Sequence, residues 1–227
     1  MRRSLSQEGL KLFACITMLL DHYGVILAPW ELSYRLIGRL SFPVFCFLLA
    51  EGAHHTKSPG KYALRLFAAA LISELPFDYA FYGKAFWYSQ NVMVTLLLGL
   101  LAILVVDKTR IVWLKPIVAL PFILAAEKLN ADYGMHGVLL MLLFGVTHSL
   151  PWKHWIQAVG MLLIFADIRS SVLLTVLGVN ITLQMFGALA ILPIALYSGE
   201  KRTHNKALQW GFYLFYPAHL LMLYYLR

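Results

Sequence analysis

An all-α bundle of membrane-spanning helices is the fold that this sequence predicts, and its composition is the main reason. Hydrophobic residues make up 60% of the 227 residues and charged residues only 13%, with a mean hydropathy of +0.71. Soluble globular proteins are about half apolar and about a quarter charged. The chain also contains 14 Phe, 12 Tyr and 6 Trp, an aromatic content typical of helices that end at a membrane surface. We therefore predict one polytopic membrane domain over residues 1–227.

Apolar runs divide the chain into about nine predicted membrane segments, and about eight to ten are compatible with the pattern. The first run follows a basic N-terminus, as in a signal peptide. It lacks a small-residue cleavage site, so we interpret it as a retained helix. The run from Ser171 to Tyr197 is too long for one helix and leaves room for an extra turn or half-helix. The predicted segments are 9–28, 38–53, 62–80, 91–106, 111–126, 134–149, 152–166, 175–197 and 207–226.

The distribution of positive charge predicts the orientation of these segments. Most lysines and arginines fall in cytoplasmic loops if the N-terminus is cytoplasmic, which is the usual bias of membrane proteins. We therefore expect a multi-pass membrane protein whose N-terminus is cytoplasmic. The net charge of +8 does not indicate nucleic-acid binding, because no soluble basic domain carries it. Cys15 and Cys46 both lie inside apolar runs, which argues against a disulfide framework and against a metal site of paired cysteines.

Ionisable residues inside the apolar segments are the strongest functional signal. An ionisable group near the middle of a membrane helix costs at least about 2.5 kcal/mol and usually faces the bundle interior or a water-filled cavity. Asp21 and His22 lie late in the first segment, Arg39 begins the second, and His219 is in the last, two residues after Pro217. Solvated helix ends, or a structural ion pair between Arg39 and Asp21, are the alternative interpretations.

A second polar group follows the second segment at its predicted cytoplasmic end. It comprises Glu51, His55, Lys57, Lys61 and Arg65. This group is either an ordinary polar loop or the mouth of a site for an anionic cofactor. Asp132 and His136 have the i,i+4 spacing of metal ligands, but two ligands do not make a site. A capped helix start or a place at a substrate mouth explains them better, and no metal is expected.

The ordered motifs of the chain resemble the TraX family. They include LKLFACITMLLDHYG, RLIGRLSFPVFCFLLAEGAHHT, YALRLFAAALISELPF, ADYG and YSGEKRTHNKALQWGFYLFYPAHLLML, and the match covers nearly the whole chain. The resemblance implies a membrane protein needed for N-terminal acetylation of F-type pilin, distantly related to the acyltransferase-3 group. The matching positions are Asp21, His22, Arg39, Glu51, His55, Arg65 and His219. Ser198 departs from the family pattern, which more often has Asn there.

The resemblance and the polar residues together predict a membrane-embedded acyltransferase that uses acetyl-CoA or another acyl-CoA. Its acceptor would be an amine, such as the N-terminus of a pilin-like or other membrane or exported protein. We expect His22 to be the general base, oriented by Asp21 or Arg39, with His219 as a rival base or an oxyanion donor. A cytoplasmic basic rim would bind the phosphates of the donor through Lys57, Lys61, Arg65, Arg110, Lys201 and Arg202. A small proton-coupled transporter and a non-catalytic membrane assembly factor are the alternatives.

Overall fold

The structure is a computed structural model that describes residues 4–168, 171–176, 178–200 and 206–227. It confirms an all-α fold class. The α-helices are α1 (Gln7–Ile26), α2 (Leu32–Gly38), α3 (Ser41–His55), α4 (Pro59–Tyr82), α5 (Val92–Lys108), α6 (Lys115–Lys128), α7 (Gly134–Thr147), α8 (Lys153–Asp167), α9 (Ile191–Ala195) and α10 (Lys206–Leu226). Two 3₁₀ segments, Val112–Leu114 and Leu183–Ala190, precede α6 and α9.

Local sequence signals account for where several helices begin and end. The Ser6 hydroxyl accepts a hydrogen bond from the Gly9 amide at 3.2 Å and caps α1. Asn91 caps α5 by accepting from the Met93 amide at 3.0 Å. Helix α4 begins with a proline and ends at Gly83, whose φ of 71° suits glycine because it lacks a Cβ.

Helix α3 is the centre of the bundle. Eleven of its fifteen residues are buried, and it packs against α1, α5 and α7. Helices α5 and α7 also pack on each other at short range. A Cβ added at Gly99 would lie 2.3 Å from the Met141 sulfur, so a larger residue there would require the Met141 side chain to move.

The predicted helical segment at 175–197 is wrong in its first part. Strand β1 (Val172–Val176) pairs with strand β2 (Val179–Thr182) in an antiparallel hairpin. The β-branched residues favour extended backbone here, and Gly178 with φ of 80° supplies a left-handed turn residue. The helical part runs only over Leu183–Ala195, which is too short to cross a membrane as a perpendicular helix.

The contacts between elements show which helices run in the same direction. Gln90 before α5 pairs with Ala131 before α7, and His54 near the end of α3 contacts Asp107 near the end of α5. Helices α3, α5 and α7 are therefore parallel to one another. These relative directions agree with a bundle of alternating segments, and the crossing of a membrane by about nine of them stays a prediction.

Two helical stretches among the described residues are long and apolar enough to cross a membrane. They are Gln7–Ile26 and Leu32–His55, the second comprising α2 and α3 together. Several other helices carry large apolar side chains on the outside of the bundle, including Leu64, Leu71 and Ile72 of α4, Ile117 and Leu124 of α6, Val159 and Leu163 of α8, and Leu214 and Met222 of α10. Such extensive exposed apolar surface is typical of contact with lipid or with another protein.

Candidate functional site

Helix α1 directs Asp21 and His22 toward two different neighbours. Consecutive residues of an α-helix point about 100° apart. Asp21 accordingly faces the arginines of the α2–α3 region, and His22 faces α10. The sequence predicted that Asp21 or Arg39 would orient His22, whereas the described contact of the His22 Nδ1 is with His219.

The Asp21 carboxylate binds two arginines through one oxygen. Its Oδ2 accepts from the Arg35 Nη1 at 2.9 Å and also from the Arg39 Nη2. The other oxygen, Oδ1, is buried and has no hydrogen-bond partner among the described residues. Gly38 makes this approach of α2 to α1 feasible, because a Cβ there would lie 2.2 Å from the Asp21 Cβ.

Arg39 joins two further parts of the chain to this ion pair. Its Nη1 donates to the Gln184 Oε1 at 2.9 Å and lies 3.5 Å from the Tyr133 hydroxyl. Tyr133 has a left-handed backbone with φ of 65° and stacks on Phe42 with ring centroids 3.7 Å apart. The Arg39 side chain is only 11% exposed. These contacts hold its guanidinium in one orientation.

His22 and His219 form a directed hydrogen-bond chain. The His22 Nδ1 lies 2.7 Å from the His219 Nε2, and the His219 Nδ1 lies 2.8 Å from the Phe215 carbonyl oxygen. A carbonyl can only accept, so a neutral His219 carries its proton on Nδ1 and accepts on Nε2. His22 then donates from Nδ1. Its Nε2 is left as the acceptor nitrogen of the pair.

These groups lie along a cavity of about 530 Å³, which we call the histidine cavity. Asp21, His22, Arg35, Arg39 and Gln184 line it, together with apolar residues of α3, α4, α5 and α10. His22 is partly exposed, whereas His219 is 4% exposed and buried behind it. Asp132 also lines this cavity, and burial raises the pKa of its carboxyl to about 6 although the Arg39 guanidinium opposes the shift.

A second cavity of about 390 Å³ lies next to the first, and we call it the basic cavity. Its lining includes Lys11, Tyr62 and Arg65. The Lys11 Nζ lies 5.4 Å from the Phe212 ring centroid, and the Arg65 guanidinium lies 5.5 Å from that of Tyr62. The two cavities share four lining residues: Phe45, Met93, Leu96 and Phe212. The two cavities are therefore adjacent, and the apolar side chains of these four residues lie between them.

The residues predicted to bind the donor divide between different places. Arg65 lines the basic cavity, while Lys57, Lys61 and Arg110 are exposed and line neither cavity. Lys201 and Arg202 lie outside the described residues. The role of these residues in binding a donor stays a prediction.

Glu51 and His55 form a separate cluster with His148, at the far end of α3. The Glu51 carboxylate lies 3.0 Å from the His148 Nε2 and 3.5 Å from the His55 Nε2. Neither Glu51 nor His55 lines the two cavities. The structure thus separates them from Asp21, His22, Arg39 and His219, which it brings together.

Several polar residues of these sites were not predicted from the sequence. Arg35 lies four residues before Arg39, a spacing that places both on one helix face. Gln184 is a polar residue in an otherwise apolar run, which is a usable signal in a membrane segment. Lys11 and His148 are ionisable residues near the ends of predicted segments, and only their partners, which come from distant parts of the chain, could not be predicted from the sequence.

Comparison with known proteins identifies the family of this chain. Residues 6–227 match the family described as TraX protein. The chain is 30% identical to the probable fimbrial assembly protein FimC, serogroup H1, of Dichelobacter nodosus, over 94% of this chain and 92% of that protein. A shorter match of 49% identity to an uncharacterized protein of Rickettsia prowazekii covers 18% of this chain and 16% of that protein. No solved structure matches the chain. Because the family match covers almost every residue, the chain belongs to the TraX family.

Proposed function

We propose that this protein is a membrane-embedded acyltransferase that moves an acetyl group from acetyl-CoA, or another acyl group from its acyl-CoA, to an amine. The observation that carries the proposal is the His22–His219 chain at the edge of the histidine cavity, where an acceptor nitrogen stands beside two arginines. An amine that attacks a thioester needs both a base for its proton and a cation or donor for the developing oxyanion.

His22 is the catalytic base in this proposal, and His219 is a positioning residue. With Nδ1 of His22 donating to His219, the His22 Nε2 accepts a proton from the attacking amine. The amine nitrogen forms a bond to the thioester carbon, and the carbon–sulfur bond breaks. The resulting imidazolium returns its proton to the leaving thiolate, so the step consumes no other reagent.

Arg35 and Arg39 supply the positive charge. Two guanidiniums share the Asp21 carboxylate at the cavity wall, and the second carboxyl there, Asp132, offsets their remaining charge when it is ionised. Arg35 is the more accessible of the two, with 26% of its side chain exposed against 11% for Arg39. We therefore assign Arg35 to the thioester oxyanion, and Asp21 and Arg39 to the fixed frame that orients it.

The adjoining cavities suggest how the donor reaches His22. Lys11 and Arg65 would bind the phosphates of coenzyme A through their positive charge. The arm that carries the thioester would pack against the apolar residues shared by the two cavities. Lys11 and His22 are eleven residues apart on α1, a distance of about 16 Å along the helix. The donor would enter through the basic cavity, and the acceptor amine would enter the histidine cavity.

The fimbrial relative supports a pilin-like acceptor. The Dichelobacter nodosus relative is a probable fimbrial assembly protein, and pilin-like subunits are membrane-inserted or exported before they assemble. The exposed apolar faces and the two membrane-capable helices support a multi-pass location in the bacterial inner membrane. The acceptor is then the N-terminal amine of a pilin-like subunit or of another membrane or exported protein.

The test is acetyl transfer by the purified protein in detergent, with acetyl-CoA and a hydrophobic peptide that has a free N-terminal amine. Thiol release and peptide mass report the two products. His22→Gln should lower the rate about 100-fold or more. His136→Gln is the matched control, a histidine of α7 that lines neither cavity, and it should retain the wild-type rate.

Two outcomes would contradict the proposal. Well-folded wild-type protein that neither binds nor consumes acetyl-CoA, but moves a solute with protons into liposomes, would identify the transporter instead. Protein that supports pilus assembly equally well with His22→Gln would identify an assembly factor without chemistry.

A further inference from the structure

The cluster at the far end of α3 has the composition of a metal site. Glu51 and His55 come from the last turns of α3, and His148 follows the last turn of α7. One ligand atom from each residue lies within 4.8 Å of the others. These three side chains, all among the described residues, therefore converge closely enough to bind one ion.

The spacing of the ligand atoms suits tetrahedral coordination. The His148 Nε2 lies 3.0 Å from one Glu51 oxygen, and the His55 Nε2 lies 3.5 Å from the other. Ligands about 2.0–2.1 Å from a central zinc ion are about 3.3–3.4 Å from each other in a tetrahedron. The two distances end on different Glu51 oxygens, and the three ligand atoms lie within 4.8 Å of one another, so side-chain rotations have to bring them together around a single ion.

The surroundings hold the ligands in place. The His54 Nδ1 lies 3.4 Å from the Asp107 carboxylate and its Nε2 lies 3.2 Å from the Gly145 carbonyl oxygen. His54 is thus oriented by two partners, and its ring packs 4.4 Å from that of His148. Glu51 is 8% exposed. A carboxylate and a histidine held in this way lose less freedom when they bind an ion.

We propose that Glu51, His55 and His148 bind a divalent transition-metal ion, with Zn²⁺ as the best fit. Two imidazoles and one carboxylate are a known zinc ligand set, and mixed nitrogen and oxygen ligands disfavour Ca²⁺ and Mg²⁺. The His55 side chain is 70% exposed, so the fourth coordination position opens to solvent. This proposal departs from the expectation of no metal drawn from the sequence.

The ion would join α3 to α7 rather than take part in acyl transfer. Ser41, which lines the histidine cavity, and His55 are fourteen residues apart on α3, a separation of about 21 Å along the helix. The ion would therefore fasten the two parallel helices at one end, while the histidine cavity lies at the other. The metal site does not depend on the proposed acyltransferase activity.

The test is zinc binding by the full-length protein in detergent after treatment with a chelator. Wild-type protein should bind one Zn²⁺ per chain, by calorimetry and by elemental analysis after gel filtration. His55→Gln removes an exposed ligand without disturbing the core, and His148→Gln removes the ligand from α7. Each should weaken Zn²⁺ binding at least about 10-fold.

The control is His136→Gln, a histidine at the opposite end of α7 from His148, which should bind Zn²⁺ as the wild type does. Zinc should also raise the unfolding temperature of the wild type and of His136→Gln, but not that of His148→Gln. The proposal is overturned if the wild type binds no Zn²⁺, or if His136→Gln loses as much binding as the cluster variants. In either case the cluster is an ion-paired helix contact.

Discussion

The two ends of α3 use the same residue types in different ways. At the Arg39 end, carboxylate, guanidinium and imidazole groups are largely buried, and Asp21, His22 and Arg39 line a cavity. At the Glu51 end, a carboxylate meets histidines of which one is 70% exposed, and neither Glu51 nor His55 lines the described cavities. Groups that act on a substrate must be fixed beside an enclosed space, whereas a metal ion can be bound at an exposed surface.

The largest difference between the two ends should appear when one acid is neutralised. Asp21→Asn leaves Arg39, only 11% exposed, without its charge partner, and should lower the free energy of unfolding by about 3–5 kcal/mol. Asp107→Asn is the matched change at the other end, where the carboxylate is 41% exposed. It should cost at most about 1 kcal/mol. Denaturant unfolding in detergent measures both, and equal losses would contradict the comparison.

The second-largest loss of stability should come from a change at Gly38, where α1 and α2 approach closely at the Arg39 end. Gly38→Ala would place a Cβ 2.2 Å from the Asp21 Cβ, so α1 and α2 must separate at a cost of about 1–3 kcal/mol. Gly60→Ala is the control, since no atom lies within 4 Å of a Cβ there. Thermal unfolding should distinguish the variants, and an unchanged Gly38→Ala would show that the helices separate easily.

Donor binding should depend on charges inside the basic cavity rather than on charges near it. Lys11→Gln and Arg65→Gln should each raise the KM for acetyl-CoA about tenfold, the effect of losing one charge-assisted contact worth about 1.4 kcal/mol. Lys61→Gln should leave KM unchanged, because Lys61 lines neither cavity. Steady-state thiol release measures all three, and an equal rise in Lys61→Gln would favour a diffuse basic rim.

The positioning role of His219 gives a finer test at the Arg39 end. His219→Gln keeps an oxygen that can accept from the His22 Nδ1, whereas His219→Phe removes every acceptor. His219→Gln should therefore retain several-fold more acetyl transfer than His219→Phe, with both variants equally folded by gel filtration. Equal loss in the two would make His219 the base or a packing residue.

The smallest change in stability should come from weakening a contact at the Glu51 end in the metal-free protein. His54→Gln weakens a partly exposed contact to Asp107 and should change the free energy of unfolding of metal-free protein by less than about 1 kcal/mol. The same variant should weaken Zn²⁺ binding about tenfold, because His54 packs against a ligand. A large loss of stability without metal would show that His54 belongs to the core instead.

Apolar runs predicted most helices, because a stretch apolar enough to be buried in a bundle or a bilayer is visible in local composition. The predicted 62–80 and 134–149 correspond to α4 (Pro59–Tyr82) and α7 (Gly134–Thr147). Apolar content predicted a helix at 175–197 as well, but it does not distinguish helix from hairpin when β-branched residues dominate. There the turn at Gly178 and the pairing of β1 with β2 decided the outcome.

The all-α class, the family and the unusual polar residues can be recognised from the amino-acid sequence, because charge in an apolar run is visible without a structure. These polar residues are Asp21, His22, Arg39 and His219. Their partners, in contrast, depend on how distant segments pack. The His22–His219 contact joins residues 197 positions apart, and the Arg39–Gln184 contact joins residues 145 apart. Only the packing of distant segments brings such residues together. The same packing places His148 beside Glu51 and His55 at the other end of α3.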